Sequence, residues 1–472
     1  RDLHVRSRRQ RQMCIRDRNN TDIKLDRAIK HYNLKPLPVR KFEEDPKYKL
    51  GQALFFDNIL SGNRDTSCAT CHLWSRGSSD NLPVSIGTYG KGLAENRLLE
   101  AGKTIEHPRN SLDLWNRDNN SVRALFWDGR VEMIDPDKRI FRTPMEDYLP
   151  VGLDNTLAVQ ALFPLVRPDE MLGRFGDRSS NDLLFPHNNQ LNTLVSKETF
   201  SSEKERILDA NRQILLRILG DTDLEYWHIK YREMFNEAYP GVAHTNITVA
   251  HIANAISHFE ELAFATRQTD WDDFLSGKKD AISQKAKEGA LLFYGKGKCA
   301  ACHSGPLMSD FNYHNLGIPD HGPGFDGNGK DYGRYAVTGN EKDKYRFRTP
   351  PLRNVSKTAP YFHNGIITNL RDAVEHINDV TFYSDKYKDD GNFMMRKDQI
   401  RSISPILKSG LELSDVEIEQ IVTFLESLES SITQDLFTKI MPASVPSNLE
   451  IHRLNEEKLI KENENYAKHN DS

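Results

Sequence analysis

The chain has 472 residues, of which 38% are hydrophobic and 28% charged, and this length predicts two or three domains. A mean hydropathy of -0.64 and the lack of any run of about 18 apolar residues argue against a membrane span. A formal net charge of -4, from 64 basic and 68 acidic residues, is not typical of a nucleic-acid-binding protein.

The first eighteen residues differ from the rest of the chain. They are rich in arginine, lack the apolar core of a signal peptide and resemble translated sequencing-adapter sequence. We therefore interpret residues 1–18 as non-native sequence, expect that the true N-terminus and its signal peptide have been lost, and assign no role to Cys14. Residues 19–45 are interpreted as an N-terminal extension.

Two similar amphipathic segments, at residues 49–56 and 286–293, each precede a pair of cysteines. Apolar residues at helical spacing predict a helix in both, followed by a loop and the turn that carries the cysteines. The duplication predicts an N-terminal domain over residues 46–270, with an inserted loop, and a C-terminal domain over residues 271–435.

The remaining helices are predicted from periodicity and capping. Apolar stripes predict helices over 206–219 and 249–264, and Ser414-Asp-Val-Glu417 is a capping box that opens the helix closing the second domain. No segment is rich in strands, so any strands should be short. Residues 436–472 form a charged tail, which we expect to be solvated or disordered beyond Pro446.

Four of the five cysteines lie in two motifs, Cys68-Ala-Thr-Cys71-His72 and Cys299-Ala-Ala-Cys302-His303. Two cysteine pairs that bind one zinc ion normally enclose about 15–20 residues, whereas these pairs are more than two hundred residues apart. A redox dithiol does not need the histidine that follows each pair. Two thiols on one turn can bind the vinyl groups of haem while the adjacent imidazole ligates the iron. The motifs therefore predict two covalent haem c groups, with His72 and His303 as proximal iron ligands. Because haem c is attached outside the cytoplasm, we expect a periplasmic protein.

Further motifs extend the pattern from about residue 46 to residue 430. They are Leu50-Gly-Gln-Ala-Leu-Phe-Phe-Asp57, Leu60-Ser-Gly62, Ser67-Cys-Ala-Thr-Cys-His72, Pro108-Arg-Asn-Ser111, Phe126-Trp-Asp-Gly-Arg130, Phe347-Arg-Thr-Pro350, Leu352-Arg-Asn354 and Thr358-Ala-Pro-Tyr-Phe-His-Asn-Gly365. In these motifs the chain resembles the bacterial di-haem cytochrome c peroxidase family, which includes the methylamine-utilisation protein MauG branch.

The resemblance implies a mainly α-helical fold of two cytochrome c-like domains, each with one covalently bound haem c. It implies a cytochrome-c peroxidase, in which the N-terminal haem reduces hydrogen peroxide to water. Electrons would come from a small cytochrome c or a cupredoxin and enter at the C-terminal haem. Family peroxidases often work as dimers, so the resemblance is compatible with a homodimer.

The resemblance also implies roles for single residues. Trp127 matches the family tryptophan between the haems, and Glu146 matches the distal glutamate, which can move a proton between the two oxygens of peroxide. Asn110, Thr358 and Pro360 match positions that hold a calcium ion between the domains through oxygen atoms suited to a hard cation.

The chain departs from the peroxidase pattern at the N-terminal haem. In peroxidases a loop histidine after Ser-Ile-Gly ligates the resting haem, but here Ser85-Ile-Gly87 leads to Thr88. His107 is the only histidine nearby. Either His107 replaces that ligand or the haem is permanently open to peroxide, as in the MauG branch, and we favour the open form.

A second departure concerns the distal ligand of the C-terminal haem, a methionine in peroxidases and a tyrosine in MauG. By ungapped count this position falls on Ile377, which cannot bind iron. His376, Met394 and Met395 are the candidate replacements, and a histidine would lower the haem potential whereas a methionine would raise it.

Two alternative functions remain open. The first is a MauG-like oxidase, which withdraws electrons from residues of a partner protein. The second is an electron-transfer protein without catalytic activity, whose two haem irons are both six-coordinate.

Overall fold

The computed structural model describes residues 20–177, 192–196, 200–381, 395–430 and 433–454, with only the backbone described at Glu146 and Gln434. This part of the chain is mainly helical, and its longest strand, Val131–Asp135, has five residues. The prediction of short strands is thus confirmed. No helix in the described ranges is long and apolar enough to cross a membrane.

The helices fall into two groups. Those of the first half span residues 20–32, Pro46–Phe56, Cys68–Cys71, Thr156–Val166, Glu203–Leu219, Tyr226–Ala238 and Val249–Ala263. Those of the second half span Asp270–Leu275, Gln284–Phe293, Tyr335–Thr338, Leu370–Asn378, Lys397–Arg401, Asp415–Glu426 and Gln434–Ile440. A single π-helical turn, Pro168–Leu172, is found in the same described residues.

The strands form small antiparallel sheets. Gly90–Lys91 pairs with Leu98–Leu99, Val131–Asp135 lies between Ala124–Leu125 and Ile140–Arg142, and Tyr313–His314 pairs with Phe347–Arg348.

The predicted helices are confirmed. The segments predicted at 206–219 and 249–264 correspond to Glu203–Leu219 and Val249–Ala263. The predicted capping box is also present: Ser414 Oγ accepts a hydrogen bond from the Glu417 amide at 3.4 Å, and the Glu417 carboxylate accepts one from the Ser414 amide at 2.9 Å.

Each half is organised around one close crossing of two helices, made possible by a glycine. A Cβ atom on Gly51 would lie 1.9 Å from the carbonyl oxygen of Ala255, and one on Gly289 would lie 1.8 Å from that of Gln420. In both halves the glycine belongs to the helix that precedes the cysteine motif. The duplication seen in the sequence is therefore a duplication of helix packing, since only glycine allows this approach.

The first described helix, residues 20–32, packs on the second half of the chain. Leu25 is buried in the C-terminal core, and Asp22 forms an ion pair with the buried Lys287 at 2.9 Å. The helix of residues 20–32 therefore packs on the second half of the chain, although the helices that follow it in sequence belong to the first half.

The C-terminal segment does the reverse of the first helix: it comes from the second half of the chain and packs on the first half. Ile440, Val445 and Leu449 are buried in the N-terminal core. Asp57, fully buried there, accepts hydrogen bonds from the Ser447 hydroxyl at 2.5 Å and from the Tyr231 hydroxyl at 2.8 Å. The expectation of a solvated or disordered segment beyond Pro446 is thus wrong for residues 447–454, because Ser447 and Leu449 pack on the half of the chain that is distant in sequence. Residues 455–472 lie outside the described part.

Candidate active site

The N-terminal cysteine motif opens into a cavity of about 760 Å³, lined by Cys68, Cys71 and His72. His72 Nδ1 donates a hydrogen bond to the carbonyl oxygen of Ser78 at 3.2 Å. Burial lowers the pKa of His72 to about 4, so the ring is neutral at physiological pH. With the proton on Nδ1, the Nε2 lone pair is available to bind a metal ion.

The C-terminal motif repeats this arrangement. Cys299, Cys302 and His303 line a second cavity, and His303 Nδ1 donates to the carbonyl oxygen of Met308 at 3.0 Å. Burial again lowers the pKa of the histidine. All four cysteines of the two motifs are free thiols, as covalent attachment of haem requires.

The wall of the second cavity also contains a buried arginine whose hydrogen bonding bears on whether haem fits. Arg348 lines it and is buried, yet its Nη1 and Nη2 atoms have no hydrogen-bond partner among the described residues. Haem carries two propionate carboxylates, which are suitable acceptors for such a group. The donor set of each motif and this unsatisfied arginine therefore fit haem c.

Trp127 lines both cavities. Its Nε1 donates to the carbonyl oxygen of Asn110 at 2.9 Å, and its own carbonyl oxygen accepts from the Arg348 amide at 2.8 Å. The indole is thus held in the wall between the two motifs by backbone groups from both halves of the chain.

Glu146 begins a single turn, Glu146–Tyr148, at the wall of the N-terminal cavity. Its neighbours Met145 and Tyr148 line that cavity. The side chain of Glu146 is outside what the structure describes, so its catalytic role stays a prediction.

Four other carboxyl groups line the N-terminal cavity, those of Asp128, Glu170, Glu203 and Glu260, and sequence reasoning assigned none of them to the site. Glu260 is buried, which raises its pKa to about 8, with a contribution from the neighbouring Glu261. Glu170 lies on the π-helical turn. The sequence offered one signal for Glu260: it directly follows Phe259, a residue of the apolar stripe of a predicted helix, which indicates that its side chain could be buried.

His107 lines the same cavity as His72. Its Nδ1 donates to the carbonyl oxygen of Arg109 at 2.7 Å, and its Nε2 lies 3.7 Å from the carboxylate of Glu170. The structure thus brings His107 to the haem cavity, while its role as an iron ligand stays a prediction.

The buried Arg97 binds the backbone of the Ser85-Ile-Gly87 segment and of Gly92 after it. Its guanidinium donates to the carbonyl oxygens of Ile86 and Gly87, both at 2.6 Å, and of Gly92 at 3.0 Å. A Cβ on Gly87 would lie 2.3 Å from the carbonyl oxygen of Asp169, so this segment is packed tightly on the π-helical turn.

Around the C-terminal cavity, Ile377 is part of the lining, as the sequence count implies. His376 is fully buried, its Nε2 donates to the carbonyl oxygen of Leu316 at 2.8 Å, and burial lowers its pKa to about 4. Met395 packs on the small buried cluster of Val380, Ile403 and Leu407. Neither His376 nor Met395 is among the described lining residues, and Met394 falls outside the described ranges.

Two histidines that sequence analysis did not consider do line this cavity. His363 is buried and stacked on Phe347, with ring centroids 3.6 Å apart. His314 forms an ion pair with Asp310 at 3.1 Å, and together with Cys302 they form a cluster of metal-ligand type. Since Cys302 belongs to the haem motif, we do not interpret this cluster as a separate metal site.

The three residues assigned to calcium lie at the interface of the two halves. Asn110 is buried, its amide nitrogen Nδ2 donates to the carbonyl oxygen of Leu82 at 2.9 Å, and its backbone N–H donates to that of His363 at 2.8 Å. Thr358 and Pro360 flank Ala359, whose carbonyl oxygen accepts from the Ser79 hydroxyl at 3.2 Å.

The fold and the two motifs thus define a class, a helical protein with a haem-binding motif in each half. Comparison with known proteins gives the family. The family model for di-haem cytochrome c peroxidase matches residues 45–280, half of the chain. The chain therefore belongs to the di-haem cytochrome c peroxidase family, an oxidoreductase family whose curated members include cytochrome c peroxidases, and this prediction is confirmed.

Individual relatives agree with this assignment. The chain is 28% identical to cytochrome-c peroxidase IdrP1 of Pseudomonas sp. (strain SCT), over 84% of this chain and 85% of the relative. It is 28% identical to cytochrome c551 peroxidase of Nitrosomonas europaea, over 80% of this chain and 83% of the relative. It is also 26% identical to methylamine utilization protein MauG of Methylophilus methylotrophus, over 84% and 85%.

Solved structures share the fold. A MauG-like protein associated with microbial copper homeostasis aligns with a TM-score of 0.56 and 22% identity, covering 87% of this chain and 97% of its own. The diheme peroxidase BthA from Burkholderia thailandensis aligns with a TM-score of 0.54 and 19% identity, covering 88% and 92%. The fold is that of the di-haem peroxidases.

Proposed function

We propose that this protein reduces hydrogen peroxide to water at its N-terminal haem, with electrons that enter at its C-terminal haem from a small cytochrome c or cupredoxin. One H₂O₂, two electrons and two protons give two H₂O. The position of Trp127 in the walls of both cavities carries this proposal, because an aromatic ring there shortens the gap that electrons must cross.

The haem groups supply peroxide binding and electron storage, and the chain supplies orientation and protons. Neutral His72 and His303 would hold the irons through Nε2, because Nδ1 of each is bound to a backbone carbonyl. The Glu146 carboxylate takes a proton from one peroxide oxygen and returns it to the other, which leaves as water. The lining of the cavity by the adjacent Met145 and Tyr148 supports this role.

Steady-state oxidation of a reduced small cytochrome c by hydrogen peroxide tests the proposal. We expect Glu146→Gln to lower kcat about 100-fold, the usual contribution of a general acid–base group. Asp147→Asn, a neighbouring exposed carboxyl group on the same turn, is the matched control and should keep full activity. Full activity of Glu146→Gln would exclude this carboxylate from the mechanism.

A MauG-like oxidation of a partner protein is the second candidate. It is favoured by Thr88, which stands where peroxidases carry their loop histidine, and by the rigid hold of Arg97 on the preceding residues. With Thr88 in that place this segment offers the iron no imidazole, so in this candidate the haem stays open and His107 lines the cavity without binding the iron. Negligible turnover with cytochrome c, together with a peroxide-induced change in the haem spectrum, would favour this candidate over the peroxidase.

The same proposal includes a calcium ion at Asn110, Thr358 and Pro360, a periplasmic location and a homodimer. The hydrogen bonds that tie Asn110 to His363 and Ala359 to Ser79 support an ion site that joins the two halves. Covalent attachment of haem outside the cytoplasm supports the location. The dimer is supported by the family resemblance alone.

A further inference from the structure

The wall of the C-terminal cavity contains a buried cation that no acidic side chain neutralises. Arg348 is 1% exposed, and its Nε donates to the carbonyl oxygen of Phe126 at 3.1 Å. Its Nη1 and Nη2 atoms have no hydrogen-bond partner among the described residues. A buried guanidinium in this state is strongly unfavourable unless another group accepts its hydrogen bonds.

The acidic side chains nearby are bound to other arginines. Asp113 accepts from Arg117 at 2.5 Å, and Asp128 accepts from Arg109 at 2.7 Å. Arg117 is itself buried, its Nη1 also lacks a partner among the described residues, and its charge acts on Arg348. Both carboxylates that act on Arg348 are therefore already hydrogen-bonded to other guanidinium groups, which leaves the Nη donors of Arg348 for another acceptor.

The backbone fixes the place of this arginine relative to the site. Arg348 pairs with Tyr313 in a short antiparallel sheet, and its amide donates to the carbonyl oxygen of Trp127 at 2.8 Å. Its side chain lines the same cavity as Cys299 and His303. The unsatisfied nitrogens thus belong to a side chain in the wall of the C-terminal haem cavity, next to the bridging indole.

We propose that Arg348 binds a propionate carboxylate of the C-terminal haem and so orients that haem beside Trp127. Once the vinyl groups have reacted with the two cysteines, the propionates are the anionic groups that haem c offers. A guanidinium binds a carboxylate through two parallel N–H donors, and both Nη atoms of Arg348 are available for this. The proposal requires haem at Cys299 and Cys302 but does not require peroxidase activity.

The test uses the full chain loaded with both haems, as wild type, Arg348→Leu and Arg348→Lys. Haem content per chain is measured first, so that failure to load is separated from failure of the proposal. Resonance Raman bands of propionate bending and a reductive titration of both haems are then recorded. The matched control is Arg334→Leu, since Arg334 is also buried at this interface but is bound to Glu132 and to the carbonyl oxygens of Asp128 and Gly129.

We expect Arg348→Leu to hold two haems, to shift the propionate band of one haem and to lower the midpoint potential of that haem, because a cation that favours reduction has been lost. Arg348→Lys should recover most of the potential, because it keeps the charge, but not the band, because it lacks the paired donors. Unchanged bands and potentials in Arg348→Leu would overturn the proposal. Equal shifts in Arg334→Leu would overturn it too. If Arg348→Leu does not load haem, Arg348→Lys takes its place in the test, and an unchanged propionate band in Arg348→Lys would overturn the proposal.

Discussion

The hydroxyl oxygen of Thr70 lies 2.6 Å from Nδ1 of His452, a hydrogen bond that spans 382 residues. Thr70 is one of the two residues between the cysteines of the N-terminal haem motif, and its Oγ1 also accepts from the Ser67 amide at 2.8 Å. The hydroxyl hydrogen of Thr70 is therefore available to be donated to Nδ1 of His452. Burial lowers the pKa of His452 to about 3, so the ring is neutral and can accept it.

His452→Ala should lower the stability of the N-terminal domain. The change leaves the buried Thr70 hydroxyl without its acceptor and opens a small cavity, at a cost of about 2 kcal/mol in the free energy of unfolding. Thermal denaturation of the haem-loaded protein at pH 7 measures this loss. His244→Ala, at an exposed histidine, is the control, and an equal melting temperature for the two variants would contradict the prediction.

Glu260 should make stability fall as pH rises. Its pKa is about 8 in the folded state and close to the usual glutamate value when unfolded, so between about pH 4.5 and 8 the folded state binds more protons. Stability then decreases with pH across this window, by at most about 1.4 kcal/mol per unit, and levels off above it. Denaturant titrations at pH 5 and pH 8 should show a smaller loss for Glu260→Gln than for wild type. Equal losses would show that Glu260 ionises normally.

Trp127→Phe should slow electron transfer between the haems without changing either iron site. The smaller ring widens the gap at the shared wall, and we expect kcat with hydrogen peroxide to fall about tenfold, equivalent to about 1.4 kcal/mol in the barrier. Trp115 is a buried tryptophan that is absent from the described lining of both cavities, so Trp115→Phe is the matched control. Stopped-flow oxidation of the reduced C-terminal haem by peroxide gives the rate directly, and equal rates would rule out a bridging role.

Calcium should bind at a ratio of one ion per chain and be lost in Asn110→Ala. Asn110→Asp keeps a side-chain oxygen and should retain the ion, because calcium prefers carboxylate and carbonyl ligands. Elemental analysis after dialysis measures the content, and chelation should lower cytochrome c oxidation in wild type. Asn246→Ala, at an exposed asparagine, serves as control. Retention of calcium by Asn110→Ala would place the ion elsewhere.

What the sequence could predict was local. Adjacent residues define each haem motif, a four-residue pattern defines the cap at Ser414, and apolar periodicity defines the helix Val249–Ala263. These features depend on neighbours in the chain, so no tertiary information was needed.

The rest depends on contacts between distant segments. Glu260 could have been an ordinary helix glutamate, and only its burial beside Cys68 makes it a protonated acid at neutral pH. His376 was a reasonable iron ligand by spacing, yet in the structure its Nε2 is bound to the carbonyl oxygen of Leu316. Leu449 lies beyond Pro446, in a segment whose composition predicts exposure, because the core that it joins is formed by residues far away in the sequence.

The exchange of terminal segments between the two halves has a consequence for dividing the protein. A cut between the domains would give an N-terminal fragment in which Asp57 lacks Ser447 and Thr70 lacks His452. The C-terminal fragment would expose the apolar surface now covered by Leu25. The two halves, although they share a duplicated helix packing, are therefore not interchangeable modules, and each should be expressed together with the terminal segment of the other half that packs on it.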